Sequence, residues 1–232
     1  LRMQKLESMC TLAGGIANDF NNFLTAILGN IALIKMNTQL DDESLKRLSL
    51  AEKACDRAKN VTQQLLAFSI GGMPVKKTAY IAELLKDTIE TALTDSQVTC
   101  EFSLPADLWP VKIDIGQVRL AISYLIKNAI ESMPQGGTIE VQCANRSLSP
   151  GNPLGLKERM YVNITIKHDG SGMSQAHLTK IFVPFYTTKH SGRSLGLTST
   201  YTIIKNHNGH ISVESELGTE TTFAIYLSAY EK

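Results

Sequence analysis

The sequence predicts an α+β protein in two parts, an antiparallel helical hairpin followed by an α/β sandwich. Three observations carry that expectation. Apolar residues recur every three or four positions through roughly the first seventy residues. Beyond Val75, segments with that period alternate with segments of period two, and the strands implied are too many for a helix-on-helix fold.

From about Gln4 to Met36, the residues Leu12, Ile16, Phe20, Phe23, Ile27, Ile31 and Ile34 mark one face of a long helix, a face expected to be buried. A polar break from Asn37 to Asp42 resets the pattern. Leu48, Ala51, Cys55, Ala58, Thr62 and Leu65 then alternate by three and four, the seam of a coiled-coil-like second helix. Each helix of a lone hairpin has only one partner to cover its stripe, so two hairpins are expected to pair into a four-helix bundle, making the chain a homodimer. The run Gly71-Gly72-Met73-Pro74 ends the second helix, which gives domains 1–72 and 75–232.

In the second domain the periodicities predict helix over Ile81 to Leu93, strand over Val98 to Leu104 and helix over Ile115 to Met133. Strands follow at Thr138 to Ala144 and at Tyr161 to Lys167, where Val162, Ile164 and Ile166 alternate with polar neighbours. The Pro/Gly-rich stretch Ser149 to Leu156 joins them. Helix from Thr198 to Asn208 and strands at His210 to Glu214 and Thr222 to Leu227 complete one mixed sheet under three helices.

Composition excludes several function classes. With 43% hydrophobic and 19% charged residues and a net charge of +1, no global field steers nucleic acid or an acidic membrane. Cys10, Cys55, Cys100 and Cys143 form no C-x-x-C pair, so neither a metal knuckle nor a disulfide framework is indicated, and reduced cytoplasm is the expected compartment. No apolar run approaches the ~18 residues of a membrane span. Because helical periodicity is already running by Leu6, the chain is expected to be part of a longer protein, any membrane anchor lying upstream. His177, His190, His207 and His210 show no ligand spacing and are expected to be exposed or packing residues.

Read in order, several motifs carry a resemblance. The segment Leu12-Ala13-Gly14-Gly15-Ile16-Ala17-Asn18-Asp19-Phe20-Asn21-Asn22 resembles the H-box of sensor histidine kinases. Asp114 to Met133, with Asn128-Ala129 and Glu131-Ser132-Met133-Pro134, resembles the N-box. His168-Asp169-Gly170-Ser171-Gly172-Met173 is similar to the D-x-G-x-G-M box, and Ile181 to Lys189, including Phe185, to the following F-box. Gly192-Arg193-Ser194-Leu195-Gly196-Leu197-Thr198 looks like the G-T-G-L-G-L-S lid, and Gly218 to Phe223, including Thr222, like the last box. One glycine motif is weak, but this order of boxes is specific.

The resemblance implies a HisKA-type dimerisation hairpin ahead of a GHKL ATPase domain. It places Asn18 at the phosphoacceptor position, with Asp19 and Asn22 as the acid and amide with which related kinases dephosphorylate a partner. It implies ATP or ADP at His168, Gly170, Gly172, Phe185, Lys189, Gly192, Arg193, Leu195, Gly196 and Thr222, with Mg2+ on Asn128. The implied partners are a second copy, and a response regulator or a partner histidine kinase. The residues add independent support: at ~100° per residue, position 18 lies about 200° from Ile16 and Phe20 and so points away from their stripe. Free N–H groups at the start of the helix near Thr198 could meet phosphate.

The departures matter as much. Asparagine's amide lone pair is delocalised, so phosphoryl transfer to Asn18 is not chemically credible. His168 replaces the carboxylate expected to receive the adenine amino group, and a neutral imidazole offers one acceptor and no charge. Arg193 and Ser194 replace the lid's Thr and Gly, and Tyr124 replaces the first N-box asparagine. Independent departures on this scale suggest natural loss. The expected function is a dimeric, pseudokinase-like regulator that binds nucleotide weakly. The alternatives are an ATP-dependent histidine kinase whose histidine was replaced, and a response-regulator phosphatase.

Overall fold

A computed structural model of the chain describes residues 2–37, 40–69, 74–183, 186 and 195–230, with side chains at 2–18, 37, 57, 59–61, 63–69 and 195 outside that description. It divides into two compact units, Leu1–Gly72 and Met73–Lys232.

The first unit is two helices, α1 (Arg2–Asn37) and α2 (Asp42–Ser69), packed on each other. Asp41 starts α2: its carboxylate accepts the Ser44 N–H at 2.8 Å, and Asp42 and Glu43 in the first turn complement the positive end of the helix dipole. The Lys35 ammonium meets the Glu52 carboxylate. Leu24 and Ile31, seven residues apart on α1, are buried, as are Cys55 and Thr62 on α2.

Within one chain, α2 covers little of the face of α1 expected to be buried. Of its members with described side chains only Ile31 is buried, while Phe20, Phe23, Ile27 and Ile34 are 55%, 64%, 48% and 44% exposed. The helix carries two adjacent apolar stripes, and one partner helix covers only one of them. On α2, Leu48 and Ala58 are half-buried and Ala51 is exposed.

The second unit comprises β1 (Lys77–Ala79), α3 (Ile81–Leu93), β2 (Val98–Ser103), β3 (Val111–Ile113), α4 (Ile115–Ser132), β4 (Gly137–Leu148), β5 (Arg159–His168), α5 (Gln175–Leu178), α6 (Leu195–Asn206), β6 (His210–Glu216) and β7 (Glu220–Ser228). Five strands form a mixed sheet in the order β2-β4-β5-β7-β6, in which only the β2–β4 pair is parallel. Register explains its two faces. Val141 pairs with Ile166, and Ile166 with Phe223, so these side chains share one face and pack with Leu85 and Ile89 of α3, Leu125 and Ile126 of α4 and Ile204 of α6. Thr165, Lys167, Thr222 and Ala224 alternate onto the other face, which no helix needs to cover.

Three short elements were not expected from the sequence. Strands β1 and β3 pair antiparallel as a separate two-stranded sheet, and α5 is a single turn. β4 runs to Leu148 rather than Ala144, because Asn145 to Leu148 still pair with Arg159 to Val162. α6 begins at Leu195 rather than Thr198 and ends at Asn206, two residues before Asn208 enters the left-handed region at φ 55°. Among the described residues, no helix is long and apolar enough to cross a membrane.

Candidate nucleotide-binding site

The site is built on one face of α4. Tyr124, Asn128 and Ser132 are four residues apart and therefore stack on successive turns. At one end of this row, a Cβ on Gly196 would meet the Tyr124 ring at 3.4 Å, so the start of α6 lies close over that ring. At the other end, the Ser132 hydroxyl is 3.2 Å from Nδ1 of His168, the last residue of β5. Asn128, half-buried, sits between a helix N-terminus and a strand end.

The chemistry of each neighbour follows from its contacts. Ser132 donates its hydroxyl proton to the Ala129 carbonyl at 2.8 Å, and its oxygen also lies within hydrogen-bond distance of His168 Nδ1, with the ring's tautomer setting which of the two donates. His168 is 2% exposed, on the helix-covered face of the sheet, while Asp169 is exposed. Burial pushes the Tyr124 hydroxyl up to about 12, so it stays protonated and can donate. Thr198 and Ser199, at the end of the first turn of α6 and just beyond it, are 4% and 0% exposed, and their hydroxyls have no partner among the described residues. Buried orphan hydroxyls are uncommon and call for a ligand or partner. They adjoin four N–H groups that an α-helix leaves unsatisfied at its start.

The glycine loop after β5 is locked by close approach. A Cβ on Gly170 would lie 2.3 Å from the Ser132 hydroxyl, and one on Gly172, whose φ is +61°, would lie 1.9 Å from the Glu216 carbonyl. Gly218 donates its N–H to the Ser171 carbonyl and Met173 its N–H to the Ser215 hydroxyl, both at 2.9 Å, tying this loop to the β6–β7 turn.

The structure therefore brings together Asn128, His168, Gly170, Gly172 and Gly196 among the residues read from the sequence. It does not add Thr222, which pairs with Lys167 on the opposite face of the sheet; Thr221, paired with His168 and 1% exposed, shares the His168 face. Phe185, Lys189, Gly192, Arg193 and Ser194 lie outside the described residues, as does the side chain of Leu195. Phe182 stacks on Tyr201 of α6 with ring centroids 5.2 Å apart. In the first unit, position 18 is helical with its side chain outside the description, and Asp19 and Asn22 are exposed. Ser132 and Thr221 were not singled out from sequence; spacing from Asn128 would have found the first. Among the described residues, no three His, Cys, Asp or Glu side chains converge as a metal site.

Three relatives match nearly the whole chain. Sensor kinase CckA of Brucella abortus is 36% identical over 97% of this chain and 24% of its own. Sporulation kinase E of Bacillus subtilis is 31% identical over 93% and 28%, and signal transduction histidine-protein kinase AtoS of Escherichia coli 30% identical over 97% and 36%. The chain thus spans about a quarter to a third of these proteins. The crystal structure of full-length ShkA in complex with AMPPNP shares the fold at a TM-score of 0.78 and 18% identity, over 95% of this chain and 46% of that one. Residues 113–231, from the end of β3 to the penultimate residue, match the profile described as histidine kinase-, DNA gyrase B- and HSP90-like ATPase, and the protein belongs to that family.

Proposed function

We propose that the chain is the core of a two-component histidine kinase that binds ATP with Mg2+ and signals as a homodimer to a response regulator or partner kinase, without phosphorylating itself. The observation that carries this reading is Asn18, in the motif where the resemblance puts a phosphoacceptor histidine. Phosphoryl transfer depends on positioning and charge stabilisation, and neither supplies a nucleophile that the side chain lacks. The loss at Asn18 concerns the acceptor alone and leaves the Asn128 site standing.

The site fits a nucleotide on three counts. The first turn of the twelve-residue α6 turns the N–H groups and the positive end of its dipole to phosphate, beside two hydroxyls with no partner among the described residues. The amide oxygen of Asn128 is a hard donor of the kind Mg2+ prefers. When bound, Mg2+ would neutralise phosphate charge. His168 stands where the resemblance puts the carboxylate that meets the adenine amino group, and a neutral imidazole brings no charge there, which weakens binding. The exposed stripe Phe20, Phe23, Ile27 and Ile34 supports pairing of two hairpins into a four-helix bundle.

A second reading, dephosphorylation of a response regulator, is favoured by the exposure of both Asp19 and Asn22, one turn apart on α1. It is compatible with the loss of an acceptor.

Titration calorimetry with ATP and Mg2+ tests the nucleotide reading. The expected result is saturable binding, weakened about tenfold or more by Asn128→Ala, the size of one lost charge-assisted contact of ~1.4 kcal/mol. Absence of binding at millimolar ATP contradicts it.

A further inference from the structure

At the other end of β5 from His168 lies a cavity of about 270 Å³, lined by Lys76, Lys112, Arg159, His207, Asn208 and the tail of β7 through Tyr230. It is separate from the α4 face described above, and among the described residues no carboxylate lines it. The ion pairs among the described residues are Lys35–Glu52, Arg47–Glu43, Arg119–Asp87 and Lys167–Glu220, so Lys76, Lys112 and Arg159 meet no described carboxylate within 4.0 Å. The chain carries 22 acidic residues against 23 basic ones, so uncompensated positive charge here is not a consequence of composition.

The three cations are mounted on fixed backbone. Lys112 lies in β3 opposite Thr78, Arg159 opens β5 opposite Leu148, and Lys76 follows Val75, whose N–H is held by the Asp114 carboxylate at 3.1 Å. Burial first, and the neighbouring Lys112 charge second, lower the Lys76 ammonium from its ordinary value, so these two cations lie within each other's field. His207 forms wall, not ligand: Nδ1 donates to the Ile203 carbonyl and Nε2 accepts from the Asp114 N–H, so both ring nitrogens are engaged.

We propose that this cavity binds the phosphate group of a small soluble compound between Lys76, Lys112 and Arg159. Three cations converging from three elements suit an oxyanion of at least two charges, with the Arg159 fork able to take two of its oxygens. The volume falls below the ~300–1,000 Å³ of clefts that enclose drug-sized ligands, which favours a phosphate group over a whole nucleotide. A concave lining favours a free compound over a lipid headgroup held in a flat bilayer. The inference is independent of the nucleotide reading, since neither site shares a residue with the other.

The test is a titration of the intact, isotope-labelled chain with inorganic phosphate at low ionic strength, followed by amide NMR shifts. The expected result is saturable shifts at Lys76, Lys112, Arg159 and Asn208, weakened at least tenfold by Lys112→Gln and by Arg159→Gln, and retained in Lys112→Arg. Both target side chains are exposed, so the variants should fold, with unchanged Trp109 emission as the check. Shifts that do not saturate, that centre on Asn128 and Gly196, or that survive both Gln substitutions overturn the proposal. Co-sedimentation with phosphatidylglycerol vesicles in the absence of any response to inorganic phosphate also overturns it, assigning the charge to a lipid surface.

Discussion

His207 Nε2 accepts the backbone N–H of Asp114 at 2.9 Å, joining the C-terminal end of α6 to the N-cap of α4 across 93 residues of sequence. The same Asp114 caps α4 by receiving the Gln117 N–H on one carboxylate oxygen, and holds the Val75 N–H on the other. One buried imidazole thus anchors the two helices that frame the candidate nucleotide site, at the ends remote from it. His207→Ala leaves the Asp114 N–H without its partner and should destabilise the second unit by about 1–3 kcal/mol. Trp109, the single tryptophan, lies in that unit, so the urea midpoint followed by its fluorescence reads the loss.

Stability should also depend on pH through this ring. Burial, the largest cause, holds His207 below the ordinary 6.5, and His210 is lowered by burial as well. Both favour the neutral ring in the folded state. Their contribution is complete above about pH 6.5 and is lost as pH falls from there towards the lowered folded values, because the unfolded chain binds the protons first. The urea midpoint should fall between pH 7 and pH 5, and the fall should be smaller in a His207→Gln variant.

Two of the positive-φ glycines, Gly172 and Gly151, separate backbone strain from steric clash. Alanine at Gly151, with φ +73° and nothing within 4 Å of a Cβ, should cost about 1 kcal/mol, the left-handed penalty alone. Alanine at Gly172 adds a Cβ 1.9 Å from the Glu216 carbonyl and should cost well over 2 kcal/mol, displacing the loop after His168. Equal losses in thermal or urea unfolding would contradict the placement of this loop against the β6–β7 turn.

Much of this architecture was legible in the sequence, for reasons visible in particular elements. α3 coincides with its expected span and α4 ends one residue before its own, because each carries a single apolar stripe that meets one sheet. β1 and β3 were not read: three residues cannot display a period, and their pairing joins Lys77 to Ile113 across a helix and a strand. On α1 the period was legible but not which stripe the partner helix of the same hairpin covers, since two stripes share the helix. At Thr222 the motif was read but the face was not; along a strand, one residue reverses the face, and Thr221 is the residue that pairs with His168.

The exposed α1 stripe gives the homodimer a direct check. Replacing Phe23 and Ile27 by Glu should raise the dimer dissociation constant a hundredfold or more, because each apolar side chain buried is worth about 1.5–3 kcal/mol and each occurs twice in a symmetric pair. Sedimentation equilibrium distinguishes the outcomes. An unaltered chain that is already monomeric would leave the stripe to another partner.

The most direct measurement incubates the unaltered chain and an Asn18→His variant side by side with Mg2+ and ATP labelled on its γ-phosphate, then assays acid-labile phosphate on the protein. The account predicts no label on the unaltered chain, because its amide at position 18 cannot attack phosphorus, and label on the variant if its nucleotide site is productive. Acid-labile phosphate on α1 of the unaltered protein would contradict it.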